Sequence, residues 1–190
     1  MKVLALCGSP RANGNTSQLL AVVASELRSQ GHSVDILNLG DLAIADCNGC
    51  LVCEETECSG DCSIEDDMQR RVVPLLLAAD AIILGSPSYF DMPSAQIKRF
   101  MDRSNMVLNR ITKKGMACAL VVVGQSEMAS LNAACRALRR YTKICGMKEV
   151  RGSPVRVIAR DEGDVRASKS AIDEAKGLAN GLIAAVRKAT

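Results

Sequence analysis

The sequence predicts an α/β protein, a three-layer sandwich in which helices cover both faces of a parallel sheet. Short apolar runs alternate along the chain with segments whose apolar residues recur at helical spacing. The apolar runs are rich in Val, Ile and Leu and lack polar alternation, which is typical of strands buried on both faces. The 190 residues are 48% hydrophobic and 24% charged, which suits one domain over residues 1–190.

Five strands are predicted, at 3–7, 33–39, 81–84, 116–123 and 150–158. Helices are predicted from apolar stripes at 19–27, 66–77, 97–108, 127–145 and 172–186. Residues 85–87 are predicted to form a turn, and Pro154 places the last strand near a sheet edge or at a bulge. Since each strand is followed by a helix, the strand order 2-1-3-4-5 of the flavodoxin-like fold is expected.

Ligands on such sheets bind at the carboxyl ends of the strands, beside the first and third strands. Ligand-binding residues are therefore expected in the segments that follow Cys7, Leu84 and Val123. The single His32 follows Gly31 at a helix–strand junction, which disfavours Ser-His and Cys-His hydrolases, and no catalytic side chain is assigned.

Composition also limits which classes of binding partner and which cellular compartment are expected. The formal charge of +3 is too small and too scattered to indicate nucleic-acid binding. No apolar run approaches the roughly 20 residues that span a bilayer, so no membrane partner is expected. The first residues carry one cation and then turn glycine-rich, unlike a secretory signal, so a cytoplasmic protein is expected. Nine cysteines in a reducing compartment suggest metal or redox chemistry.

The loop after the first predicted strand has the composition of a phosphate site. It lacks the Gly-Lys-Ser/Thr ending of a Walker loop and the G-x-G-x-x-G dinucleotide pattern. It places hydroxyls, amides and a guanidinium before a helix N-terminus, where an anion is favoured. The candidate phosphate-binding residues are Ser9, Arg11, Asn13, Asn15, Thr16 and Ser17. An ordinary polar turn with a capped helix is the alternative.

Two segments together resemble a known family. The pattern G-S-P-R-x-x-G-N-T-S at 8–17 resembles the phosphate loop of the NADPH-dependent FMN reductases. The segment 86–103 is similar to that family's S-P-x-Y motif and the helix after it. The resemblance fades beyond about residue 103, and Gly124-Gln125 matches the family's third loop only loosely.

The resemblance implies that FMN binds at the carboxyl end of the sheet. Tyr89 and Phe90 are two of only four aromatic residues and follow a predicted strand end. The resemblance places the segment from Pro87 and Ser88 to Phe90 around the isoalloxazine ring, with Gly124 and Gln125 on a third side. The alternative is that one ring lies in the core and the other on the surface.

Five of the nine cysteines lie between residues 47 and 62. Cys47, Cys50 and Cys53 form C-x2-C-x2-C, and a fourth thiolate from Cys58 or Cys62 would complete the usual ligand set of an iron–sulfur cubane. This motif, in a loop at about 46–64, resembles that of the iron–sulfur flavoproteins, a branch that pairs a [4Fe–4S] cluster with FMN. The short spacing favours Cys58, and the Asp-Asp-Met at 66–68, which follows the last cysteine in relatives, favours Cys62.

Three other interpretations of the cysteine loop remain open. The cysteines could be structural thiols or disulfide partners. They could also bind zinc through C-x2-C-x4-C-x3-C, with Cys50, Cys53, Cys58 and Cys62 as ligands. The remaining cysteines, on predicted strands and helices, are expected to be buried and inert: Cys7, Cys118, Cys135 and Cys145.

The resemblance therefore implies an FMN-binding oxidoreductase that takes electrons from NAD(P)H or a ferredoxin-type donor. The partner would be a small-molecule acceptor or a ferredoxin-like protein, and the chain would form a homodimer or homotetramer. The alternatives are a non-enzymatic FMN electron carrier and a cluster-free NAD(P)H:quinone or nitro reductase.

Overall fold

The structure is a computed structural model that describes residues 1–187, so the last three residues of the predicted domain lie outside the described part. Its strands are β1 Lys2–Cys7, β2 Ser33–Asn38, β3 Ala81–Tyr89, β4 Met92–Pro93, β5 Ala117–Gly124, β6 Lys148–Glu149 and β7 Val155–Ile158. Its helices are α1 Asn15–Ser29, α2 Val52–Glu55, α3 Val73–Ala78, α4 Ala95–Arg103, α5 Leu108–Lys114, α6 Met128–Ile144, α7 Asp164–Ala167 and α8 Lys169–Arg187.

The central sheet has the predicted order with a divided edge. β2, β1, β3 and β5 pair side by side in parallel. The fifth position is shared by β6 and β7, which pair with successive parts of β5. The described residues thus hold seven strands instead of five. The predicted strand at 150–158 is wrong in its bounds, because the chain leaves the sheet before Pro154 and returns at Val155.

β3 is longer than predicted, and the turn expected at 85–87 is wrong. Gly85, Ser86 and Pro87 pair in parallel with Val121–Val123 of β5, so the strand continues to Tyr89. It then turns back through two residues with positive φ and pairs with β4 in a short hairpin. This extension carries the aromatic residues beyond the edge of the sheet.

Alternating residues of the strands fill two separate cores. Leu4, Leu6 and Ile82 pack on one face with residues of α3, α4, α5 and α6, and Val3 and Ile83 pack on the other with α1 and α8. This burial confirms the prediction of a sheet covered on both faces. No helix within residues 1–187 is both long enough and apolar enough to cross a membrane.

Two of the predicted helices are broken in the structure. The stripe at 97–108 is divided between α4, a 3-10 turn at Ser104–Val107 and α5. The helix predicted at 66–77 begins with a π-helical turn at Met68–Val72 that leads into α3. The break after α4 turns Arg103 and Asn105 toward the cysteine loop, whose cavity both residues line.

Candidate functional site

A cleft of about 390 Å³ lies at the carboxyl ends of β1, β3 and β5, where the topology predicts a ligand site. It brings together most of the predicted cofactor-binding residues, namely Ser9, Arg11, Asn15, Thr16, Pro87, Ser88, Tyr89, Phe90, Gly124 and Gln125. Asn13 and Ser17 do not line it. The Ser17 hydroxyl donates to the carbonyls of Ala12 and Gly14, both at 2.8 Å, and so stabilises the loop from within.

The loop before α1 is built to leave helix donors open. Gly14 is the N-cap residue of α1 and has no side chain that could bond the first-turn N–H groups. The buried Ser9 hydroxyl holds the loop by accepting from the Arg11 N–H at 3.1 Å and donating to the Arg11 carbonyl at 3.0 Å. A Cβ at Gly14 would lie 2.8 Å from Ser9 Oγ. The loop therefore presents backbone N–H groups, the helix dipole and Arg11 to an anion.

Asn15 lines the cleft, as predicted, and its side chain also has a structural role. Its side-chain amide donates to the Asp161 carbonyl at 2.8 Å and accepts from the Gly163 N–H at 3.2 Å. It thereby ties the start of α1 to the segment that follows β7. The Asp164 carboxylate accepts from the N–H groups of Asp161 and Arg160 in that segment, and these bonds lower the pKa of Asp164.

Arg160 is a cleft residue that the sequence reasoning missed. The tie through Asn15 brings the segment after β7 to the cleft, which Arg160 lines. Gln125 Nε2 donates to the Arg160 carbonyl at 3.3 Å, and Arg160 Nε donates to the Gln125 carbonyl at 3.4 Å. The sequence signal that could have identified Arg160 is its position, because it is a cation just beyond the carboxyl end of the last strand. The cleft therefore holds two arginines, Arg11 and Arg160.

The aromatic hairpin stands at the mouth of the cleft. Phe90 is fully exposed and Tyr89 is 46% exposed, so neither ring belongs to the core. The hairpin turns at Phe90 and Asp91, with φ of 49° and 65°, as a tight reversal between antiparallel strands requires. At its base, the hydroxyls of Ser88 and Ser130 lie 3.0 Å apart. The hairpin therefore offers an open apolar wall to a flat ligand.

Gly124 lies on the third side of the cleft, as predicted, but for a different physical reason. A Cβ at Gly124 would lie 2.8 Å from Leu131 Cδ1 and 3.4 Å from Ser88 Cβ. The glycine therefore allows β5 to approach α6 and the hairpin. Close approach of the backbone to a ligand is not needed to explain it.

Four cysteines of the loop surround a second, smaller cavity of about 30 Å³. These are Cys47, Cys50, Cys53 and Cys62, together with Arg103 and Asn105 from the end of α4 and the turn after it. Cys58 does not line the cavity. Glu57 and Cys58 both have left-handed backbone conformations, with φ of 53° and 52°, and the Cys58 N–H bonds back to the Cys53 carbonyl at 2.6 Å. Burial and the neighbouring Cys53 thiol raise the pKa of Cys58, so Cys58 lies beside Cys53 but outside the cavity wall.

Three of these four sulfur atoms contact polar groups. Asn105 Nδ2 donates to Cys53 Sγ at 3.2 Å, and Arg103 Nη2 donates to Cys62 Sγ at 3.6 Å. Cys50 Sγ lies 2.9 Å from Ser63 Oγ, and this hydrogen bond lowers the pKa of the Cys50 thiol. At Cys50 this lowered pKa favours the thiolate form, which is the form that binds metal.

The structure also bears on the disulfide, single-metal and buried-thiol interpretations of the cysteines. All nine are free thiols, so no disulfide staples the loop. Within residues 1–187 no group of three His, Cys, Asp or Glu side chains converges closely enough to hold a single metal ion. The four cysteines outside the loop are buried, as predicted, and burial raises the pKa of Cys118 to about 12 and that of Cys135 to about 11.

A buried ion pair closes the neck of the cysteine loop. Arg103 Nη1 donates to Asp66 Oδ2 at 2.6 Å and to the Ala45 carbonyl at 2.9 Å. Asp66 also accepts from the N–H groups of Ala45 and Met68, at 2.8 and 2.9 Å. Burial raises the pKa of Asp66, but these hydrogen bonds more than offset it, so the pKa lies below its usual value. The pair was not predicted, and it joins both ends of the loop to α4.

Comparison with known proteins decides the family. The model of the NADPH-dependent FMN reductase family matches residues 1–159. The chain belongs to that family. It is also 34% identical over 195 residues to an iron–sulfur flavoprotein of Archaeoglobus fulgidus, across 96% of this chain and 94% of that protein. The predicted FMN reductase family and its iron–sulfur flavoprotein branch are both confirmed.

Solved structures agree with the fold of this FMN reductase homologue. An NADH:FMN oxidoreductase in its apo form superposes with a TM-score of 0.71 at 18% identity, over 95% of this chain and 87% of that one. A flavodoxin from the domain Archaea superposes with a TM-score of 0.66 at 16% identity, over 98% and 99%. The flavodoxin-like prediction is confirmed, and the family match makes the protein an FMN-dependent oxidoreductase.

The Asp66–Arg103 pair makes the stability of this FMN reductase homologue depend on pH. Asp66→Asn leaves a buried cation uncompensated, so we expect it to lower the free energy of unfolding by about 3–5 kcal/mol at pH 7. Because the folded-state pKa of Asp66 is depressed, its contribution is complete above the unfolded-state pKa of about 3.9 and is lost as the pH falls through the folded value. Urea unfolding of metal-free wild type and D66N should therefore give stabilities that converge as the pH falls below that unfolded-state value.

Asp46→Asn is the matched control, because Asp46 is 83% exposed in its ion pair with Arg99. We expect that variant to change the free energy of unfolding by less than about 1 kcal/mol at any pH. A wild-type to D66N difference that stays constant down to the lowest pH would contradict the assignment.

Proposed function

We propose that this oxidoreductase holds FMN in the cleft and a [4Fe–4S] cluster at the cysteine cavity, and that electrons pass between the two. The observation that carries the proposal is that Cys47, Cys50, Cys53 and Cys62 line one cavity, in the same chain as an FMN-type cleft. The name of the Archaeoglobus fulgidus relative supports it.

The cleft fits FMN in shape and in charge. The phosphate would lie at the N-terminus of α1, where Gly14 leaves the N–H groups open and Arg11 adds a cation. The ring would lie between the hairpin at Tyr89 and the strand end at Gly124. FMN supplies hydride and electron transfer, and this chain supplies binding and orientation. Hydride transfer to a flavin needs no acid–base residue, so we assign no catalytic side chain.

The cysteine cavity fits a cubane ligand set better than it fits a single ion, because within residues 1–187 no three ligating side chains converge closely enough for one ion. A cubane is held by four thiolates, and four cysteines line the cavity. We assign the fourth ligand to Cys62, because Cys58 lies off the cavity. Such a cluster transfers single electrons. Asn105 and Arg103 already donate to the Cys53 and Cys62 sulfur atoms before any metal binds.

One helix connects the two sites. Ser94 caps α4 by accepting from the Ile97 N–H, and its hydroxyl donates to the carbonyl of Gly8 at 2.7 Å, at the start of the phosphate loop. Nine residues later the same helix ends at Arg103, beside Cys62. Nine helical residues extend about 14 Å. The helix therefore joins the phosphate loop of one site to the cysteine cavity of the other within one chain.

The donor and the acceptor are proposed from the openness of the cleft. The exposed hairpin leaves room for a nicotinamide ring over the flavin site, so we propose NAD(P)H, or a ferredoxin-type donor at the cluster, as the electron source. The acceptor would be a small molecule or a ferredoxin-like protein. Steady NAD(P)H oxidation by FMN-loaded protein distinguishes an enzyme from a pure electron carrier.

We propose a homodimer or homotetramer in the cytoplasm. Tyr89, Phe90 and Met92 form an exposed apolar patch at the cleft mouth, which contact with another subunit would cover. The nine free thiols suit a reducing compartment.

Removing the Arg11 cation should weaken FMN binding. Arg11→Gln deletes one charge-assisted contact to the phosphate, so we expect the FMN dissociation constant to rise roughly 10- to 150-fold. Fluorescence titration of FMN measures the change. Arg166→Gln on α7 is the control, because Arg166 is exposed and does not line the cleft. Equal FMN affinity in R11Q and R166Q would place the phosphate elsewhere.

Two cysteine substitutions test the fourth ligand. We expect Cys62→Ser to lose most iron and acid-labile sulfide after anaerobic reconstitution. We expect Cys58→Ser to retain them, because of these two residues only Cys62 lines the cavity. FMN content should be unchanged in both variants, which makes each a control for folding of the other. Loss of the cluster in C58S with retention in C62S would reverse the assignment.

A further inference from the structure

Arg103 is a buried cation in the wall of the cysteine cavity. It is only 2% exposed, although it lies in the loop region outside the two main cores. A guanidinium has five N–H donors in a fixed plane. Those on Nη1 and Nη2 reach Asp66, the carbonyls of Ala45 and Ile64, and Cys62 Sγ.

One donor of this guanidinium is left without a partner. Within residues 1–187, Arg103 Nε is buried and makes no hydrogen bond. Buried donors on charged groups are rarely left unpaired, and an unpaired one calls for an acceptor. Since Arg103 lines the cavity beside Cys62, a sulfur-rich group held there would place acceptors next to it.

We propose that Arg103 is a positioning residue that raises the reduction potential of the cluster. The proposal rests on the cluster of the proposed function. Its guanidinium donates to the Cys62 sulfur, and its free Nε–H is available to a second sulfur of the cluster. The reduced cluster carries one more negative charge than the oxidised cluster. A cation hydrogen-bonded to a ligand sulfur therefore stabilises the reduced form more than the oxidised form.

Asp66 does not cancel this effect. Its carboxylate accepts from the N–H groups of Ala45 and Met68 as well as from Arg103, and within residues 1–187 no hydrogen bond joins it to a cysteine sulfur. Arg103 alone of the pair donates to a cysteine sulfur. Asn105 donates to Cys53 without a charge, so we expect it to contribute less than Arg103.

The test compares the cluster in three variants with the cluster in wild type. Arg103→Gln combined with Asp66→Asn removes both charges and keeps groups that can hydrogen-bond across the loop neck. Arg103→Lys keeps the cation and loses the planar set of donors. Arg99→Gln is the matched control, because Arg99 lies one turn earlier on α4 in an exposed ion pair with Asp46.

The readouts are iron and sulfide content and the midpoint potential of the cluster, from dithionite titration followed by electron paramagnetic resonance. The dithionite supplies the single electron. We expect the double variant to shift the reduction equilibrium at least roughly tenfold toward the oxidised form, which is about 59 mV. R103K should show a smaller negative shift, and R99Q none. If the double variant holds no cluster, Arg103→Gln alone replaces it, and we expect the same negative shift because the cation is removed.

Two results overturn the inference, and they are distinguishable. A wild-type potential in the double variant, or in R103Q where the double variant is empty, contradicts the role of Arg103 and leaves the proposed function intact. Wild-type protein that takes up no iron or sulfide contradicts the proposed cluster, and the inference fails with it.

Discussion

The parallel pairing of β1, β3 and β5 is the constraint on which the functional architecture depends. Because these strands run in one direction, their carboxyl ends meet at one edge, and the loops that follow must share the space there. The phosphate loop, the aromatic hairpin and the strand end at Gly124 face each other for this reason. The sheet can hold this register because both of its faces are buried.

A second constraint acts at the far end of α4. There the Arg103–Asp66 pair closes a loop that has little apolar contact of its own, and four thiols are held around one cavity. A cysteine loop without such a closure would lose conformational order easily. The same helix begins at the phosphate loop through Ser94, so the positions of the two sites are linked by a rigid element. This linkage supports our proposal that the oxidoreductase holds two redox groups.

Local signals predicted much of the fold and the cleft, and long-range contacts account for what was missed. The apolar runs and the residues after Cys7 could be interpreted from their neighbours alone. The extension of β3 depends on pairing with β5, and the role of Asn15 depends on Asp161, 146 positions away. The choice between Cys58 and Cys62 could not be made from spacing, because it depends on the left-handed backbone at Glu57 and Cys58.

The most direct measurement is the cofactor content of the wild-type protein after anaerobic reconstitution with FMN, iron and sulfide. The account predicts about one FMN, four iron and four sulfide per chain, with broad absorbance near roughly 400 nm beside the flavin bands. A yellow protein that retains FMN and contains no acid-labile sulfide would contradict it. The cysteine loop would then be a structural element of a plain FMN-dependent reductase.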